Sequence, residues 1–190
     1  MALIQIFDDQ LEKISLQKLL FLITRYQKSR SYDFVPYRFG CFSFQANADL
    51  HTLEKYEIVK EKTNHWQKLD TIDYYATLKD HDQSALRYVK NKFENFDKED
   101  LIRFTYINYP YYAINSAIAS IILSPEQFNK VDTQRANKTN TVLFTIGYEG
   151  ISLEQFLNKL IINNISLLCD VRKNSLSMKY RFSKKKLLNA

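Results

Sequence analysis

Glycine is scarce in this chain. Gly40, Gly147 and Gly150 are the only three in 190 residues, where average usage would supply about 13. The pair at 147 and 150 therefore marks a loop that needs something glycine provides. Long apolar runs are also missing. The longest, Leu19 to Ile23, is far too short to span a bilayer, so no membrane partner is expected. Cys41 and Cys169 are the only cysteines; they lie far apart and form no C-x-x-C. With no secretory leader at the N-terminus, reduced thiols and a cytoplasmic location are expected. His51, His65 and His81 are scattered and show no second ligand type at metal spacing, so no metal site is expected.

What is present suits a packed globular chain: 45% apolar and 25% charged residues, enough to build a core. The length allows one large or two small domains. The net charge of +6 is unevenly placed. Residues 1–140 carry 19 basic and 18 acidic side chains, and residues 141–190 carry 8 and 3. Beyond Asp170 there is no acid, but there are seven bases: Arg172, Lys173, Lys179, Arg181, Lys184, Lys185 and Lys186.

Periodicity predicts a helix from about Leu11 to Lys28, capped by Asp8 or Asp9, with Lys18, Arg25 and Lys28 on its polar remainder. An extended aromatic stretch, Tyr32 to Phe39, turns at Gly40. Ser43 can cap a helix to about Lys55. Glu57–Val59 and Trp66–Leu69 read as a short hairpin, and Ile72–Leu78 as a further strand or edge. Helices follow from Asp82 or Ser84, over Lys98–Ile107 and over Ala113–Leu123. Helix, helix and a polar-tipped hairpin is the order of a winged-helix unit. Residues 1–123 are thus expected to form a mainly helical, winged-helix-like domain, and 124–140 a polar linker.

Thr141 to Ile146 then reads as an apolar strand and Gly147–Gly150 as a turn. Ser152 and Gln155 form a capping box before the helical spacing of Leu153, Phe156, Leu157, Leu160 and Ile161. Asn163 and Asn164 can end that helix in the left-handed conformation. Ile165–Val171 reads as a second strand. The expected fold class is α+β overall, with a βαβ segment over 141–190. Parallel strands this apolar need cover on both faces, and one helix covers one. Either the N-terminal domain lends cover or the α/β domain is truncated; the packing argument favours truncation, with Ser183 capping a last helix. A truncated domain would leave this chain inactive.

Leu143–Gly150, Leu168-Cys-Asp-Val-Arg172 and Tyr180-Arg-Phe-Ser-Lys184 resemble the opening of the bacterial family called domain of unknown function 488. Ser175 stands where that family usually has proline. Val35–Gly40 and Tyr109–Ala113 are similar to the winged-helix-like region preceding this domain in some members, and more distantly to the Panacea antitoxin domain. The resemblance implies architecture and no established reaction.

Ligands of open parallel sheets bind at the carboxyl ends of the strands. That makes Gly147, Tyr148, Gly150, Arg172 and Lys184 candidate anion-binding residues. Asp170 and Arg172 are the candidate catalytic pair, with Asp170 as base or as the residue orienting Arg172; the alternative is that they tie down a loop. Lys184, Lys185 and Lys186 in the first turn of a helix suit an anion such as phosphate or nucleic acid. Tyr37, Arg38, Tyr109 and Tyr111 are the candidate interaction surface, against interdomain packing. A Gly-x-x-Gly without a Walker lysine carries little signal, and no cofactor is expected. The N-terminal region is close to neutral, so a protein partner is preferred over sequence-specific DNA. Two functions are expected to compete. One is an α/β enzyme domain acting on a phosphorylated or nucleic-acid substrate. The other is a non-catalytic DNA- or protein-binding regulator or antitoxin-like adaptor.

Overall fold

The computed structural model describes residues 1–136, 142–173 and 182–187. The fold is α+β. Helix α1 (Ala2–Ile6) leads into strand β1 (Gln10–Glu12) and helix α2 (Lys13–Thr24). Asp8 and Asp9, expected as caps, instead take left-handed backbone (φ 60° and 59°). They reverse the chain between α1 and β1, so α2 starts later than its apolar pattern suggested. Strands β2 (Val35–Tyr37) and β3 (Gly40–Phe42) make a two-stranded antiparallel ribbon. Helix α3 (Phe44–Lys55) follows, and Ser43 caps it as expected, its Oγ accepting the N–H of Ala46. Strands β4 (Val59–Glu61) and β5 (His65–Lys68) form the hairpin, and β1 adds to β5 with Leu11 opposite Trp66. The Ile72–Leu78 stretch turns rather than extending the sheet.

Helix α2 is the centre of the main core: Leu16, Leu19, Phe21, Leu22 and Ile23 are all buried. It packs against helices α4 (Asp80–Phe93) and α5 (Lys98–Asn108). Lys18 corrects the sequence reading, because it is fully buried. Its ammonium donates to the Phe39 carbonyl and to the Cys41 carbonyl at 3.2 Å, and lies 3.6 Å from Cys41 Sγ. A lysine survives burial only with such partners. Desolvation lowers its pKa, against the opposing pull of Cys41, and burial pushes the Cys41 thiol up. This lysine pins the β2–β3 ribbon to α2.

Ala113–Leu123 is not one helix. It divides into a 3-10 turn (Pro110–Ala113) and helix α6 (Ala119–Ile122). Ser124–Asn140 is likewise not all linker: Pro125–Asp132 forms helix α7, with a Ser124–Gln127 capping box. Val131, on α7, is fully buried in a second core with Tyr106, Ile114 and Leu123.

Helix α8 (Leu153–Ile162) has the predicted capping box at Ser152 and Gln155. Asn164 is left-handed (φ 52°), with its N–H on the Ile161 carbonyl and that of Ile165 on Leu160. The flanking segments differ from expectation. Val142–Ile146 and Ile165–Val171 have no strand pairing among the described residues, and Leu143, Leu167 and Val171 are each more than 80% exposed. Thr141 lies outside the described residues. Two parallel strands and one helix bury too little to pair by themselves. Helix α8 takes its cover from the N-terminal part instead. Its Leu153 and Phe156, with Phe182, share a third core with Val35, Phe42 and Phe44. A short helix α9 (Lys184–Leu187) begins after Ser183, whose carbonyl accepts the Leu187 N–H at 3.0 Å.

Candidate functional site

Three of the residues singled out from sequence meet in one cluster. The Arg172 guanidinium forks onto the Asp170 carboxylate, Nε to Oδ1 at 2.7 Å and Nη2 to Oδ2 at 2.6 Å. Its Nη1 donates to the Phe182 carbonyl at 2.8 Å. The same guanidinium lies 5.2 Å from the Tyr148 ring centroid, and Tyr148 stacks on Phe182 at 4.8 Å. Phe182 is held in turn by an edge contact from Phe156 of α8.

This geometry limits the chemistry. The hydrogen bonds from Arg172 hold Asp170 down at about 2, helped by the more distant charge of Lys184, and Asp170 raises the pKa of Arg172. A carboxylate that acidic is a poor general base near neutral pH. The forked edge of Arg172, which would grip a phosphate, is occupied by Asp170. The pair as placed ties a loop to Phe182.

Gly150 is left-handed (φ 73°), whereas a Cβ at Gly147 would meet nothing within 4 Å. Lys184 is exposed at the start of α9. Ser175, Lys179, Tyr180 and Arg181 lie outside the described residues, as do the side chains of Lys185 and Lys186.

The aromatic set divides. Tyr37 and Arg38 are exposed on the β2–β3 ribbon. Tyr109 packs edge-on against Phe21 at 5.0 Å. The Tyr111 hydroxyl donates to Asn158 Oδ1 of α8 at 2.8 Å, and burial pushes its pKa up to about 12. Tyr109 and Tyr111 therefore serve packing, while Tyr37 and Arg38 keep an accessible surface.

The sequence reading missed a cleft of about 430 Å³ where α8 faces the end of α2 and the 30–34 segment. Its walls include Arg25, Arg30, Lys159, Asp33, Tyr32 and Tyr112. Asp33 is already engaged by Ser152 Oγ at 2.9 Å and Gln155 Nε2 at 2.8 Å. The Arg25 guanidinium lies over the Phe21 ring, 4.1 Å from its centroid, and its Nη2 donates to the Tyr112 hydroxyl. Its Nε is buried and has no hydrogen-bond partner among the described residues. Three cations against one occupied carboxylate leave this cleft positive. No short motif could have signalled it, because Arg25 and Lys159 are brought together only when α8 docks.

No family model, curated protein or solved structure matches this chain significantly. No helix among the described residues is long and apolar enough to cross a membrane.

Proposed function

We propose that this chain is a recognition module that binds an anionic, phosphorylated ligand in the cleft between its N-terminal body and α8. The observation that carries the reading is the convergence of Arg25, Arg30 and Lys159 on one cleft whose single carboxylate, Asp33, is already engaged. Three cations converging on one cleft favour an anion that accepts hydrogen bonds from more than one of them. The acidity of Asp170 favours binding over base catalysis.

The N-terminal part is read as a winged-helix-like interaction module of an intracellular bacterial protein. The succession of α2, ribbon, α3 and hairpin supports this. Its Asp49 is engaged by Tyr32 and Gln45, and α3 also carries Glu54, so its face suits a protein partner better than DNA phosphates. The C-terminal part is read as the opening of a fold of the type called domain of unknown function 488. The meeting of Tyr148, Asp170, Arg172 and Phe182, drawn from three separate motifs, supports that reading. In a longer protein of that type, an enzyme acting on a phosphorylated substrate is the second reading.

The test is thermal stabilisation by inorganic phosphate, pyrophosphate and a short oligonucleotide. Phosphate or pyrophosphate should raise Tm, and the paired change Arg30→Gln with Lys159→Gln should abolish most of the rise. These exposed residues can be replaced without touching the core. An unchanged rise in that double variant, or no rise in the parent chain, would sink the proposal.

A further inference from the structure

His51, Glu54 and Glu61 converge at the junction of α3 with β4. His51 and Glu54 are three residues apart on α3 and share a face, and Glu61 ends β4. His51 Nδ1 lies 3.7 Å from Glu54 Oε2 and 3.7 Å from Glu61 Oε2. One ligand atom from each residue falls within 4.8 Å of the other two. Those separations are too long for hydrogen bonds.

The second oxygen of each carboxylate is committed elsewhere. Glu61 Oε1 accepts from Lys13 Nζ at 2.5 Å, and Glu54 Oε1 accepts the backbone N–H of Glu61 at 2.9 Å. The imidazole stands edge-on to Trp66, with centroids 5.3 Å apart, and Trp66 is itself buried. Each donor is therefore oriented by a neighbour, as outer partners orient metal ligands.

An ion equidistant from three atoms so spaced would sit about 2.1–2.4 Å from each, which spans bonds from zinc to nitrogen or oxygen and from larger divalent ions to oxygen. One imidazole with two carboxylates suits a borderline ion better than a purely hard one. We propose that His51, Glu54 and Glu61 form a site for a divalent transition-metal ion. Its three protein ligands lie at the surface, His51 with 45% of its side chain exposed. That leaves coordination positions for water or for a donor from a partner. The ion would tie α3 to β4 and offset the proximity of the two carboxylates, while Lys13 holds the far oxygen of Glu61.

The probe is Zn²⁺, titrated calorimetrically into the chelator-treated full chain carrying Cys169→Ser, because Cys169 is an exposed free thiol. One Zn²⁺ should bind per chain and raise Tm. His51→Ala and Glu61→Gln should each weaken binding at least tenfold, while His65→Ala and His81→Ala leave it unchanged. His51 is exposed, so its replacement should leave the apo melting curve intact. Absence of binding at micromolar Zn²⁺ overturns the site. So does binding that survives both His51→Ala and Glu61→Gln, or that follows His65 or His81 instead.

Discussion

Glu154, in the first turn of α8, reaches the start of α3, where its Oε1 accepts the backbone N–H of Gln45 at 2.8 Å. The same oxygen accepts from Ser43 Oγ at 3.3 Å. Glu154 is 1% exposed, yet its charge is matched by unpaired amides and the positive end of the α3 dipole. The carboxylate joins the two parts of the chain. Glu154→Ala should cost about 2–3 kcal/mol, the scale of a buried charge-assisted hydrogen bond; Glu154→Gln, which keeps an acceptor, should cost less. Urea unfolding checks both. An alanine variant as stable as the parent would mean that α8 is held by its other contacts, the packing of Leu153 and Phe156 and the hydrogen bonds of Asn158 and Asp33, without help from Glu154.

Glu57 occupies the position at which glycine commonly ends a helix. Its φ is 58°, its N–H meets the Glu54 carbonyl and the N–H of Ile58 meets that of Leu53, both at 3.0 Å. That pair of bonds is the Schellman arrangement. A left-handed residue with a Cβ costs about 1–2 kcal/mol. Glu57→Gly should therefore raise stability by up to about 1 kcal/mol, after the extra entropy of an unfolded glycine. A lowered urea midpoint would show that the Glu57 side chain contributes more than its backbone costs.

Gly40 works the other way. Its φ is 89°, and a Cβ there would fall 2.5 Å from Tyr106 Cε1 and 2.9 Å from Lys18 Nζ. Tyr106 is buried and its hydroxyl shares a hydrogen bond with Ser116 at 2.6 Å, so the ring has little room to yield. Gly40→Ala should destabilise by about 2–4 kcal/mol from left-handed strain plus overpacking. A thermal melt within a degree of the parent would contradict the tight approach of ring and turn.

Asp170 should titrate near pH 2 rather than 3.8, because Arg172 donates to it. A depressed folded pKa means the pairing contributes above pH 3.8 and is lost as pH falls through about 2. Carboxyl carbon shifts in labelled protein report this directly, and Arg172→Ala should return the midpoint toward 3.8. An Asp170 midpoint near 3.8 in the parent chain would mean that the fork does not form in solution.

Local signals carried far in this chain. Ser43 as a cap, the Ser152–Gln155 box, the left-handed Asn164 and the turn at Gly40 depend on neighbours a few residues away, and the residues alone set them. The hairpin of β4 and β5 was legible as a hairpin, but its first strand, expected at Glu57–Val59, runs from Val59 to Glu61, because Glu57 is spent on the left-handed end of α3. Legibility ended where partners lie far along the chain. Lys18 looked solvated because helical spacing shows which face a residue is on, not that the β2–β3 ribbon will fold over that face. Asp8 and Asp9 looked like caps until β1 needed a reversal to reach β5. The apolar segments beside α8 looked like strands, but a strand needs a partner edge and none pairs with them among the described residues. Arg25, Arg30 and Lys159 became a cleft, and His51, Glu54 and Glu61 a cluster, only once long-range packing had placed them. Composition and spacing thus determined the α+β class and the helix ends and turns that local capping closes. Tertiary structure decided the sites, because charge and ligand geometry depend on distances between residues that the sequence holds far apart.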